Sequence, residues 1–262
     1  MMGIDPVEQR RMMQESLDAI LALFRAGPDE RIDRHSDWFT LRDAQLHIRP
    51  YTWPYPEIST AAMVSPPSGP RLAGQLGTSL LSLSMSVPGG FAALEDVWGG
   101  IVVDQAAKSG RPEPDRSSWR VLGIMHLADT RDQAIDDCTY GLQDFANYFG
   151  AAGGFVPLSN EVEAAEQSPR QFVADYAAGG NCCIGTPDDA IAYITDLLDR
   201  SGGFGTFLML GHDWADPQAT YHSYELFFAR KSHAALQGST SRAARIARMG
   251  AAETQRSVRP RR

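Results

Sequence analysis

Cysteine is scarce in this chain: Cys138, Cys182 and Cys183 are all there is. An odd set with one adjacent pair is no disulfide framework, so a reducing, cytoplasmic setting is expected. No Cys-x-x-Cys meets a second ligand pair, and His35, His47, His222 and His233 lack partners at metal-ligand spacing, so no metal site is expected. Long apolar runs are missing too. None approaches the ~20 residues of a membrane span, and Met1-Met2-Gly3-Ile4-Asp5-Pro6 meets charge too early for a signal-peptide core. Positive charge is in deficit. With a net charge of -8 and a pI near 5.2, nucleic acid is not an expected partner. The exception is the end. Residues 231–262 hold eight Lys/Arg against Glu253, so this tail is +7 and the residues before it carry -15. It is expected to be a poorly ordered basic tail. There is no repeat at a fixed period. Gly202-Gly203-Phe204-Gly205 is no dinucleotide fingerprint, because it precedes a strand where a phosphate loop follows one.

What is present is ordinary for a globular protein: 262 residues, 43% apolar and 21% charged. Gly203 to Asp216 stands out as an almost wholly apolar strand that ends abruptly in His212-Asp213-Trp214. Continuous apolar runs are expected of parallel strands covered on both faces. In such sheets chemistry gathers beyond the carboxyl ends of the strands. Further strands are expected over 58–64, 78–86 and 119–128. Helices are expected over 6–25, 71–76, 91–109, 130–148, 169–177, 186–201 and 223–230, with an extended excursion over 29–57. Asp5, Thr130 and Thr186 are the expected caps. A helix followed by four strand–helix units is α/β with a parallel sheet.

Two constellations could carry chemistry. Val64-Ser65-Pro66-Pro67-Ser68-Gly69 feeds a strand through a tight turn into a helix, which presents backbone N–H groups and hydroxyls to an anion. An ordinary strand–helix connection is the competing reading. His212-Asp213-Trp214 could move protons near neutral pH and wall an apolar ligand; a packed loop end competes. His126, ending the third strand, is a weaker version of the same idea. Asp136-Asp137 and Asp188-Asp189 read as acids favouring helix dipoles, and Cys182-Cys183 as a buried strand end or loop.

Four stretches together resemble the luciferase-like flavin monooxygenases. They are Met2-Gly3-Ile4-Asp5-Pro6 with Gln9-Arg10 and Glu15; Ala61-Ala62-Met63-Val64-Ser65-Pro66; Ile184-Gly185-Thr186-Pro187-Asp188 leading to Ser201-Gly202-Gly203-Phe204-Gly205; and His212-Asp213-Trp214 with Ser223-Tyr224-Glu225-Leu226 and Ala229-Arg230. The last looks most like the limonene 1,2-monooxygenase-type branch. The resemblance covers residues 2–230 and implies a TIM-barrel type (β/α)8 fold. Residues 6–25 would be its fourth helix and the four strands its fifth to eighth, a partial barrel over 1–230. It further implies reduced FMN supplied by a separate flavin reductase, with coenzyme F420 as the alternative, and an apolar substrate such as a terpene. Val64, Ser65, Ser68, Gly69 and Ser82 would face the cofactor, and His212 and Asp213 would serve catalysis. The long 150–181 segment would be a lid. An inactive fragment, or a half-barrel that needs another chain or a second copy to cover its edges, is the competing expectation.

Overall fold

The computed structural model describes residues 3, 5–52, 55–62, 68–84, 94–153, 167–180 and 182–228. The chain divides into two compact units, Met1–Ser59 and from Thr60 onward. The end of the strand expected over 58–64, part of the expected lid and the basic tail lie outside the described residues.

In the first unit, α1 (Pro6–Arg25) starts where the sequence places it. The Asp5 carboxylate accepts from the Val7 N–H at 2.9 Å, satisfying one donor that the helix cannot. The residues after it are not a featureless excursion. β1 (Ile32–His35) and β2 (Thr40–Ala44) form an antiparallel hairpin with an irregular register between Ile32 and Arg34. Asp43 takes a positive φ of 50° there, a conformation that Asp tolerates better than most residues. Arg11 bonds both oxygens of Asp37 at 2.9 and 3.0 Å, and the Trp38 indole donates to Glu15 at 2.8 Å.

The second unit is built on one sheet. β3 (Ser59–Ala62), β4 (Ser79–Leu83), β5 (Arg120–Leu127) and β6 (Cys183–Gly185) lie in that order, and β7 (Thr206–Leu210) also pairs with β5. The β4–β5, β5–β6 and β5–β7 pairs are all parallel. The sheet is not closed among the described residues. β5 is its hub, with Trp119 to Ala128 largely buried. β7, expected to be covered on both faces, is only half-buried and lies at an edge. Its apolar run is real, but its one strand neighbour is β5.

Helix α2 (Ser68–Leu76) packs beside β4 and against α4 (Asp104–Lys108), and a π-helix at Val97–Val103 joins α3 (Leu94–Asp96) to α4. Gly99 and Gly100 fall within that π segment and are exposed. Leu80, Val97, Trp98, Val102, Trp119, Val121 and Leu197 form the first core cluster. A second lies around Ile124, Ile184 and Trp214, under α5 (Arg131–Cys138), α6 (Leu142–Gly153) and α7 (Pro169–Ala178). The single helix expected over 130–148 is thus two, parted at Thr139–Gly141.

α8 (Pro187–Ser201) opens with a full capping box: the Thr186 hydroxyl takes the Asp189 N–H, and Asp189 takes the Thr186 N–H at 2.9 Å. Arg131 also pairs with Asp189. Arg131 and then the Thr186 donors hold the Asp189 carboxyl well below the usual carboxylate range, against the opposing cost of burial. A depressed folded pKa means this support is complete above the ordinary value near 4 and is lost as pH falls through the folded value. Thr186→Ala is expected to cost about 1 kcal/mol in denaturant unfolding at pH 7.

Candidate functional site

Because the pairs around β5 are parallel, the carboxyl ends of β4, β5, β6 and β7 share one rim. β5 and β7 are last paired at Ile124 and Leu210. His126 and His212 each lie two residues beyond that last pair. α2 starts beyond β3, two strands from β5, or about 10 Å across a sheet.

His126 is buried, and its Nε2 lies 3.1 Å from Asp137 Oδ2. The other oxygen of Asp137 accepts from Gln133 at 2.6 Å. A carboxylate only accepts, so Nε2 is the donor of this pair. Asp136 does what was expected of the acidic pair, facing out to Arg170 at 2.7 Å. Asp137 does not, and turns in to orient a histidine. The clue in the sequence was geometric: a helix that begins four residues after a strand passes back over that strand's last residues.

His212 is exposed and sits in a three-ring cluster, with centroids 4.8 Å from Phe145 and 5.0 Å from Trp214. Phe145 meets Trp214 edge-on at 4.7 Å. Trp214 packs inward. It is buried, and its indole donates to the Leu210 carbonyl at 3.1 Å, which pins the loop that carries His212 and Asp213. Asp213 lines a recess of about 400 Å³ with Tyr140, Ala215, Pro217, Thr220, Tyr221 and Tyr224.

Of the expected anion turn, Val64 and Ser65 lie outside the described residues. Ser68 and Gly69 open α2. A Cβ on Gly69 would fall 1.9 Å from the Ala61 carbonyl oxygen, so the helix start is pressed against β3 and only glycine fits. The first turn of α2 contains no acid, whereas α5 and α8 place Asp132 and Asp188 with Asp189 there. The positive end of the α2 dipole is therefore not offset by its own side chains. Ser82 is buried, and its hydroxyl accepts from the Trp119 indole at 2.9 Å. Ser84, just past β4, accepts from Tyr193 at 2.7 Å. Among the described residues, no cluster of His, Cys, Asp and Glu could hold a metal ion, and no helix is long and apolar enough to cross a membrane.

A family model described as luciferase-like monooxygenase matches residues 1–204. Limonene 1,2-monooxygenase of Rhodococcus erythropolis is 40% identical over 226 residues, covering 86% of this chain and 54% of that protein. 4-hydroxyprotoasukamycin monooxygenase of Streptomyces nodosus subsp. asukaensis is 36% identical over 246 residues, 92% of this chain and 63% of that protein. The chain thus spans between half and two thirds of the length of these relatives. Among solved structures, the oxygenating constituent of 3,6-diketocamphane monooxygenase from Pseudomonas putida, a complex with FMN, superposes with a TM-score of 0.62 at 19% identity, over 85% of this chain and 62% of that one. An F420-dependent secondary alcohol dehydrogenase gives a TM-score of 0.58 at 16% identity, over 86% and 62%.

Proposed function

The chain belongs to the luciferase-like monooxygenase family, and from that premise we propose that it holds reduced FMN and directs one oxygen atom of O2 into an apolar small molecule such as a terpene. The observation that carries the reading is the start of α2, an N-terminus without acids that follows the first strand of the sheet. It suits a phosphate dianion. Ser68 and Gly69 would supply N–H groups and a hydroxyl, with Ser65 and the backbone of Val64 completing the turn. Ser82 acts one layer behind, by holding Trp119. On this reading β3, β4, β5 and β7 would stand as strands five to eight of a TIM barrel, with β6 added beside β5.

Reduced flavin, delivered by a separate reductase, would supply the electrons and the activation of oxygen when bound. This chain's residues bind, orient and move protons. His126, buried and fixed by Asp137, would act as a positioning group beneath the rim. His212, in the loop that follows β7, would be the group that moves protons. The recess beside Asp213, with three tyrosines in its wall, gives an apolar substrate a surface to lie on.

Titration of the purified chain with FMN tests the reading. Ser65→Ala with Ser68→Ala is expected to weaken FMN by roughly tenfold or more, the effect of losing hydrogen bonds to a charged group. Unchanged affinity removes the turn from the cofactor site, and no binding by the parent chain marks an inert fragment. Reduced F420, titrated in parallel, separates the flavin from the deazaflavin reading. In a reductase-coupled assay His212→Ala should lower turnover at least tenfold while FMN affinity holds; a rate equal to the parent's excludes it from the chemistry.

A further inference from the structure

The recess beside Asp213 has a wall that sorts its occupants by charge. α9 (Pro217–Phe228) gives it Pro217, Thr220, Tyr221 and Tyr224. That spacing is one face of a helix, so these side chains point the same way. The Ser223 hydroxyl accepts from the Leu127 N–H at 2.9 Å and ties this helix to the end of β5. Tyr140, between α5 and α6, and Asp213 complete the wall.

The recognition groups in it are unspent. Two acids lie in the loop after β7. The Asp216 carboxylate caps α9, accepting from the Gln218 and Ala219 N–H groups at 2.8 and 2.9 Å. Asp213 is exposed, and among the described residues no Lys, Arg or His pairs with its carboxylate. The hydroxyls of Tyr140, Tyr221 and Tyr224 make no hydrogen bond there, and their rings meet no other ring. Tyr140 and Tyr221 are 61% and 71% exposed, so their faces stand open. The face of a tyrosine ring is the negative side of its quadrupole. A carboxylate and three such rings repel an anion and attract a cation. A neutral hydrocarbon would lie on the rings and leave the carboxylate unused.

We propose that this recess binds a small organic ammonium ion, with its charge beside Asp213 and its carbon surface on the tyrosine faces. A space of about 400 Å³ admits such an ion together with an apolar body. The proposal rests on the reading above in taking this recess as the substrate's surface, and it names the substrate class as an alkylated amine.

Choline and 3,3-dimethylbutan-1-ol have one shape and differ in charge. Saturation-transfer NMR titrations of the 262-residue chain with each, without flavin, test the proposal. Choline is expected to saturate one site, more weakly as salt is raised, and to bind more tightly than the alcohol. Asp213→Asn should weaken choline about fivefold and leave the alcohol unchanged. Tyr221→Leu should weaken choline about threefold, whereas Tyr221→Phe, which keeps the ring, should hold its affinity. Circular dichroism checks that each variant is folded. No saturable choline site, equal affinity for the two probes, or an unaltered choline affinity in Asp213→Asn overturns the proposal. Choline binding by a chain that takes no FMN would remove the flavin reading alone, and FMN binding without choline binding would remove this one alone.

Discussion

Trp119→Ala is expected to lower the unfolding free energy by roughly 4 kcal/mol, within the range for emptying a buried tryptophan site. Trp119 is fully buried and joins three parts of the fold. It stacks on Trp98 of the π segment at 5.4 Å and 20°, and meets Phe204 ahead of β7 edge-on at 6.4 Å. Its carbonyl accepts from the Gly205 N–H at 2.9 Å. The Arg116 guanidinium lies 5.7 Å from the Trp98 ring and 6.0 Å from the Trp119 ring, and reaches the Ser201 carbonyl at 2.8 Å. Denaturant melts of Trp119→Ala and Trp119→Phe should separate the size of the cavity from the loss of the indole N–H. Ser82→Ala removes that N–H's acceptor and should cost about 1–3 kcal/mol with FMN affinity unchanged. A fall in FMN affinity without loss of stability would instead put Ser82 against the cofactor.

Much of this sheet could be read from the chain. The apolar run 119–128 and the Thr186-Pro187-Asp188-Asp189 helix start are local signals, and the structure places both where the residues do. The reading failed where a partner decides. The run at 206–210 is as apolar as a covered strand, yet β7 pairs with β5 alone, and no residue within it records a missing neighbour. β6 has three residues, too few for a period to show. Ile32-Asp33-Arg34-His35 carries one apolar residue and gives no alternation, so the first hairpin stayed hidden. The helix break at Gly141 and the turn of Asp137 toward His126 depend on residues that only the fold brings near. The candidate site was therefore legible as a rim, from strand ends and turns, while the pairing within it was not.

Gly141→Ala should combine loss of stability with loss of turnover. The Gly141 N–H donates to the Trp214 carbonyl at 3.1 Å. A Cβ there would lie 1.8 Å from the Asp213 carbonyl oxygen, which is backbone and cannot swing aside. Either α6 or the His212–Asp213 loop has to move, at about 3 kcal/mol, the upper end for overpacking. Phe145, on the first turns of α6, is the ring against which His212 packs. Displacement of α6 therefore takes the support from His212, while α2 and its N-terminal turn are untouched. Turnover should fall at least tenfold with FMN affinity held, measured at a temperature where the variant remains folded. Gly205→Ala is the control. Its Cβ would meet the Ser117 carbonyl at 1.7 Å, an equal conflict at the amino end of β7, far along the strand from His212. It should cost similar stability and leave the turnover of the folded fraction nearly intact. Equal losses of turnover in the two variants would mean that the ring cluster around His212 has no part in the reaction.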